Sequence, residues 1–120
     1  MARMSEPVRI YHNSRCSKSR ATLELLEQHG ITPQVINYLD TPPSARELGE
    51  LLALLGMRPR QLLRTGEAEY AELGLAEPQL DDDALIAAMV AHPKLIERPI
   101  VVANGKAALG RPPEAVLAIL

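Results

Sequence analysis

Cys16 is the residue of this sequence best suited to covalent chemistry, because it is the only cysteine in the chain. It lies in the stretch from Tyr11 to Arg20, between a predicted first strand and a predicted first helix. The free N–H groups in the first turn of a helix stabilise an anion, which favours the thiolate of a cysteine placed there. Basic and hydroxyl side chains that act in the same direction are close in sequence: His12, Arg15, Ser17, Lys18, Ser19 and Arg20. The pattern predicts that Cys16 is a nucleophile.

Two simpler interpretations of this segment remain open. A free cysteine often does no more than pack in the core, although the polar and basic neighbours of Cys16 favour a reactive role. His12 is either a strand-end residue with a satisfied side chain or a group that supports the thiolate. A metal site is not predicted, because His12, His29 and His92 show no ligand spacing with the cysteine.

Three arginines form a second set of candidate residues: Arg64, Arg98 and Arg111. Planar guanidinium groups bind tetrahedral oxyanions through paired, charge-assisted hydrogen bonds. Arg98 and Arg111 flank a predicted antiparallel hairpin, so they return to the same edge of the sheet, an edge that Cys16 can share. For any one of these arginines, a solvated surface position is the simpler interpretation. If all three converge on Cys16, they would form an oxyanion site. Pro99, which leads directly into the hairpin, is a candidate for a cis peptide bond.

Length, charge and cysteine content limit the class of protein. The 120 residues predict one domain over residues 1–120, with a flexible tail at 1–6. The net charge of −2 argues against a general nucleic-acid or membrane-surface binder, and no apolar run approaches the roughly 20 residues that cross a bilayer. One cysteine forms no internal disulfide, and the first residues contain no apolar stretch of signal-peptide length. We therefore expect a cytoplasmic location.

Hydrophobic periodicity and turn residues predict the order β-α-β-α, a helical insert, then α-β-β-α. The predicted elements are a strand at 8–11, a helix at 19–29, a strand at 34–39, a helix after Ser44 that stops at Gly56, short helical turns within 58–75, a helix that starts at 81–83 and closes at 92, a hairpin at 100–109 and a last helix at 114–120. The Asn104-Gly105 pair indicates a type I′ turn. Two strands joined through a helix pair in parallel. The order predicts an α/β fold in which helices flank a mixed sheet.

Taken together, these residues resemble the glutaredoxin-dependent arsenate reductases (ArsC-like proteins), a family with the thioredoxin fold. The resemblance runs from Val8 to Leu120 and rests on these motifs: Tyr11-His12-Asn13-x-x-Cys16-x-x-Ser19-Arg20, Tyr38-Leu39-x-Thr41-Pro42-Pro43, Leu62-Leu63-Arg64, Glu72-Leu73-Gly74-Leu75-Ala76, His92-Pro93-x-Leu95-Ile96-x-Arg98-Pro99-Ile100-Val101-Val102 and Arg111-Pro112. Ser14 and Ser17 depart from the Pro and Gly that the family often has. The resemblance implies a thioredoxin-like (glutaredoxin-like) mixed sheet with a helical insertion between the second and third strands.

The resemblance also implies a role for each candidate residue. Cys16 is then the catalytic thiolate that attacks arsenate, and His12 and Ser19 are the family's histidine and serine around it. The oxyanion and the reduced product are held by Arg64, Arg98 and Arg111, and a cis proline, Pro99, faces the thiol. No cofactor is bound; glutathione is the co-substrate and glutaredoxin the protein partner.

Two other functions remain open at the level of sequence. One is a glutathione-dependent thiol oxidoreductase that acts on another small substrate. The other is a transcription regulator like the Spx-type proteins, which share the fold and contact RNA polymerase. Regulators of that type that sense oxidation through an internal disulfide need a CxxC pair, and Ser19 stands where its second cysteine would be.

Overall fold

The computed structural model describes residues 7–120, so the predicted flexible tail at 1–6 lies outside the described residues. The chain divides into two compact units. The first combines the described residues up to Tyr38 with Arg98–Leu120, and the second is Leu39–Glu97. The second unit is the helical insertion that the sequence predicts between the second and third strands.

The first unit is built on a four-stranded mixed sheet with the strand order β2-β1-β3-β4. Its elements are β1 (Arg9–His12), α1 (Ser17–Gln28), β2 (Gln34–Asn37), β3 (Ile100–Ala103), β4 (Lys106–Leu109) and a 3₁₀ helix at Pro113–Ile119. Strands β1 and β2 are parallel, with α1 as the crossover between them, whereas β3 is antiparallel to both β1 and β4. Asn104 and Gly105 both have positive φ, as the predicted type I′ turn requires.

An aliphatic core holds this sheet to its helices. It is formed by Ile10, Leu26, Val101, Ala103, Val116 and Ile119, which come from β1, α1, β3 and the last 3₁₀ helix. Strand β3 is buried along its whole length, as expected of an interior strand with a neighbour on each side. The sheet, its helices and the insertion form the predicted thioredoxin-like fold.

The second unit contains four α-helices and a short 3₁₀ helix. They are α2 (Ala45–Leu55), α3 (Pro59–Leu62), α4 (Ala68–Glu72), α5 (Asp82–Ala91) and the 3₁₀ helix Pro93–Leu95. The predicted start and end of α2 are confirmed. The Ser44 side chain caps the helix by accepting from the Glu47 N–H, and Gly56 ends it in the left-handed conformation. Asp81 caps α5 by accepting from the Ala84 N–H.

Two element boundaries differ from the prediction in ways that matter for the site. Helix α1 begins at Ser17 rather than Ser19, because Cys16 itself is the N-cap and its carbonyl accepts from the Arg20 N–H. The first turn carries no apolar residue, so periodicity does not reveal it. The last helix spans Pro113–Ile119 and is 3₁₀ rather than α.

Candidate active site

The loop that carries Cys16 is a tight turn fixed by its own backbone and by Asn13. The Asn13 side-chain oxygen accepts from the Arg15 N–H at 2.9 Å, and the Asn13 carbonyl accepts from the Cys16 N–H at 3.0 Å. From the first turn of α1, the Arg20 guanidinium donates to the Ser14 carbonyl at 2.8 Å. An asparagine that bonds the backbone two residues on is a common way to hold such a turn. The loop therefore presents Cys16 in a defined position.

Cys16 occupies the N-cap of α1, with extended backbone dihedrals, and only 6% of the residue is exposed. The N–H groups of a helix's first turn have no partner within the helix and point towards its N-terminus. Their partial positive charge, together with the helix dipole, stabilises negative charge placed at this position. The predicted location of the cysteine at the start of the first helix is confirmed, one residue before the helix begins.

His12 and Ser19 form a buried pair next to the cysteine in sequence. The Ser19 Oγ lies 2.7 Å from the His12 Nδ1, and it also accepts from the Asn13 N–H at 3.0 Å. His12 is 7% exposed and Ser19 is fully buried. Burial, and secondly the positive charge of Arg20, lower the pKa of His12 below 6.5. His12 is therefore a neutral imidazole at neutral pH.

The direction of the Ser19–His12 hydrogen bond depends on the tautomer of the imidazole ring. The Ser19 Oγ already accepts from the backbone N–H of Asn13, and the His12 Nδ1 is the acceptor within reach of its hydroxyl proton. We assign Ser19 as donor to Nδ1, which leaves the ring proton of neutral His12 on Nε2. With this assignment, Ser19 holds the orientation of the imidazole and sets its tautomer.

Arg98 and Arg111 lie together at one end of the β3–β4 hairpin, as predicted. The Arg111 Nη1 donates to the Arg98 carbonyl at 3.1 Å. The Nε and Nη1 atoms of Arg98 are buried, whereas Arg111 is exposed. The Arg98–Pro99 peptide bond is cis, in agreement with the prediction for Pro99, and the Arg111–Pro112 bond is also cis, which the sequence analysis did not foresee.

These arginines are attached to segments that pack directly on α1. The Gly110 N–H donates to the Pro99 carbonyl at 2.9 Å. A Cβ at Gly110 would lie 2.8 Å from the Pro99 Cγ and would overlap Thr22 of α1. Glycine is therefore the residue that lets the end of β4 approach the helix of Cys16. The structure brings the segments of Arg98 and Arg111 to that helix, while convergence of their guanidinium groups on the sulfur stays a prediction.

Arg64, the third predicted arginine, lies in the second unit between two carboxylates. Its Nη1 donates to the Glu67 Oε2 at 3.1 Å, and its Nε lies 3.5 Å from the Glu97 Oε1. Neither glutamate is among the residues predicted from the sequence. Glu67 stands three residues after Arg64 and could have been suspected from that spacing, but Glu97 has no such signal. A role of Arg64 in binding an oxyanion stays a prediction.

Within residues 7–120, no group of three or more His, Cys, Asp or Glu side chains is arranged to hold a metal ion. In the same part of the chain, every helix is too short or too polar to span a membrane.

Comparison with known proteins gives consistent similarities over nearly the whole chain. A family model described as the ArsC family matches residues 11–119. The protein YfgD of Escherichia coli K12, named as uncharacterised, is 58% identical over 118 residues, which cover 98% of this chain and 99% of YfgD. A protein named arsenate reductase from Neisseria meningitidis serogroup B is 54% identical over 114 residues, covering 94% of this chain and 97% of its own length.

Similarity extends to another named enzyme and to a solved structure. A protein named arsenate reductase from Escherichia coli K12 is 50% identical over 113 residues, which cover 94% of this chain and 80% of that protein. The solved structure of an arsenate reductase from Vibrio cholerae superposes with a TM-score of 0.94 at 59% identity, covering 98% of this chain and all of that one.

Proposed function

This chain belongs to the ArsC family, and on that premise we propose that it reduces arsenate to arsenite with Cys16 as the nucleophile. The observation that carries the proposal is the position of Cys16. The chain's only thiol sits at the N-cap of α1, and in sequence it lies between the two members of a buried His12–Ser19 pair. Similarity at 50–54% identity to proteins named arsenate reductase supports arsenate as the substrate.

The proposed reaction begins when arsenate is bound by guanidinium groups. Arg98 and Arg111 act from the segments that pack on α1, and Arg64 is assigned to the same task by the family resemblance alone. The arginines offset the negative charge of arsenate as the Cys16 thiolate approaches, and they continue to offset charge in the transition state. The thiolate forms a sulfur–arsenic bond, and one arsenate oxygen, after protonation, leaves as water.

His12 and Ser19 have a positioning role in this proposal. With Nδ1 bound to the Ser19 hydroxyl, His12 keeps its remaining proton on Nε2 and offers it as a hydrogen-bond donor. A neutral donor stabilises a nearby thiolate without forming a full ion pair that would reduce its reactivity. The Ser19 hydroxyl links this imidazole to the Asn13 N–H, and so to the loop that carries Cys16.

Reduction of arsenic requires two electrons, and Cys16 alone does not supply them. Ser19 stands where a CxxC motif has its second cysteine, so the chain has no resolving thiol of its own. We propose that two external thiols complete the cycle. Glutathione adds to the arsenic of the Cys16 adduct with loss of water, and the glutaredoxin thiolate then attacks the glutathione sulfur. A glutathione–glutaredoxin disulfide forms, the electron pair of the broken sulfur–arsenic bond stays on arsenic, and hydrolysis of the Cys16–arsenic bond releases arsenite and the free thiol. The two thiols become a disulfide, which balances the two electrons gained by arsenic.

A second candidate function is a glutathione-dependent reduction of another small substrate. The same thiol, helix N-terminus and external reductant serve this chemistry equally well. A regulator of the Spx type is a third candidate, and co-purification of RNA polymerase with the tagged protein is the observation that would support it.

A coupled assay separates these functions. Glutathione, glutaredoxin, glutathione reductase and NADPH are supplied, and NADPH oxidation is followed with arsenate, phosphate or a model disulfide as the added substrate. We expect oxidation with arsenate and none with phosphate, which arsenate resembles in shape but which is not reduced. Disulfide turnover above the rate of the same mixture without this protein, together with no turnover of arsenate, would reject arsenate as the substrate and support the second candidate.

A further inference from the structure

The two carboxylates beside Arg64 have no role in the proposed reaction, yet they are fixed in place by the backbone. The Arg64 N–H donates to the Leu95 carbonyl at 2.7 Å, and the Glu97 N–H donates to the Leu62 carbonyl at 3.0 Å. These bonds pair the segment before Arg64 with the segment that ends at Glu97. Glu97 is thereby held against the guanidinium from one side, while Glu67 reaches it from three residues along the chain.

The side chains of Arg64, Glu67 and Glu97 together carry more negative than positive charge. One arginine and two glutamates sum to a net charge of −1. The three side chains are only 25–28% exposed, so water screens their charges incompletely. An oxyanion that binds Arg64 also meets the two carboxylates. Repulsion from them doubles when the charge of the oxyanion changes from −1 to −2, because Coulomb energy is proportional to charge.

The carboxylates also limit which donors of Arg64 an oxyanion can use. Glu67 accepts from Nη1, and Glu97 lies against Nε. The five N–H donors of a guanidinium form a rigid fork, and each bidentate edge combines Nη2 with one of these two atoms. An oxyanion that binds Arg64 through Nη1 and Nη2 therefore competes with Glu67, and one that binds through Nε and Nη2 competes with Glu97. A single contact through Nη2 involves no such competition.

We propose that Glu67 and Glu97 are the residues that determine the charge selectivity of Arg64, weakening its binding of doubly charged oxyanions relative to singly charged ones. The inference rests on the proposed role of Arg64 in binding an oxyanion. Its consequence is that the penalty which the two glutamates impose on arsenate at Arg64 falls as the anion loses charge, for example by protonation.

The test measures binding rather than turnover, so it does not depend on reduction of arsenate. The ¹⁵N-labelled full chain is titrated at constant ionic strength with sulfate and with perchlorate, which are both tetrahedral but carry charges of −2 and −1. Dissociation constants are taken from NMR chemical shifts for the wild type, Glu67→Gln, Glu97→Gln and Arg64→Gln. Glu72→Gln is the matched control, because it removes one negative charge at an exposed position of the same segment.

We expect Glu67→Gln and Glu97→Gln each to tighten sulfate binding by about threefold or more, with a smaller gain for perchlorate. Glu72→Gln should change neither constant by more than about 1.5-fold. Arg64→Gln should weaken sulfate binding.

Two results would overturn the inference, and they point to different errors. If Arg64→Gln weakens sulfate binding but the glutamate variants match Glu72→Gln, or affect both anions equally, the carboxylates do not set charge selectivity and the proposed function stands. If Arg64→Gln binds sulfate as tightly as the wild type does, Arg64 is not an oxyanion residue. That part of the proposed function then fails together with the inference.

Discussion

The Ser19 hydroxyl makes the most specific structural contribution to the candidate site, and its removal gives a quantitative prediction. Ser19→Ala deletes both of its hydrogen bonds, the one from the Asn13 N–H and the one to the His12 Nδ1. Each such bond contributes about 1 kcal/mol, and leaving the buried groups without partners adds to the cost. We therefore expect the free energy of unfolding to fall by at least about 2 kcal/mol.

The same loss can be expressed as a change in Tm. A chain of 120 residues has an unfolding entropy of about 0.25 kcal/mol/K at its midpoint, so 2 kcal/mol corresponds to a fall of about 8 °C. Urea unfolding followed by circular dichroism suits a chain without tryptophan. Ser17→Ala is the matched control, because Ser17 is an exposed serine in the same helical turn. It should change stability by no more than about 0.5 kcal/mol.

A further outcome links this variant to the proposed chemistry. With Ser19 absent, the His12 ring is free to change its tautomer and orientation, so arsenate turnover should fall by more than the loss of folded protein explains. Measured at a temperature where both variants are fully folded, turnover should drop in Ser19→Ala and persist in Ser17→Ala. Equal stabilities and equal rates for the two variants would refute the assigned network.

Three other predictions concern the same unit. Gly110→Ala should lower the free energy of unfolding by about 1–3 kcal/mol, because the added Cβ overlaps Thr22. In urea unfolding, the double variant Gly110→Ala, Thr22→Ala should recover part of that loss. An unchanged stability of the single variant would contradict the contact. The pKa of His12 is lowered in the folded state, so below about pH 6.5 the unfolded chain binds more protons than the folded chain does. The free energy of unfolding should therefore fall as the pH drops from 6.5, and His12→Gln should flatten this dependence. Arg20→Gln should raise the NMR titration midpoint of His12, because it removes a positive charge that lowers the pKa. Arg15→Gln, which removes an exposed charge in the loop, should leave the midpoint unchanged. Equal midpoints in the wild type and both variants would reject Arg20 as a cause.

Much of the fold could be predicted because its signals are local. The Asn104-Gly105 turn, the Ser44 cap and the Gly56 end of α2 each depend on a few adjacent residues whose dihedral preferences are strong. The β-α-β order then fixes the parallel pairing of β1 and β2. The boundaries that were wrong are those without local signals. Helix α1 begins in the polar segment after Cys16, where hydrophobic periodicity is absent.

The site was predictable in its residue types but not in its contacts. Cys16 and the arginines stand out by chemistry and by their places at the ends of elements. The Ser19–His12 bond joins residues seven apart, and only the tight turn at Asn13 brings them together. The Arg64–Glu97 contact depends on the pairing of two segments more than thirty residues apart. Such contacts are set by tertiary structure, which no local pattern encodes.

The central claim is that the Cys16 sulfur reduces arsenate, and direct speciation of arsenic tests it without coupling enzymes. Wild-type protein and Cys16→Ser are incubated with arsenate, glutathione and glutaredoxin, and arsenite is separated from arsenate and quantified. We predict arsenite in proportion to wild-type protein and only the protein-free background with Cys16→Ser. Equal arsenite from the two proteins, or none above background from either, would contradict the claim.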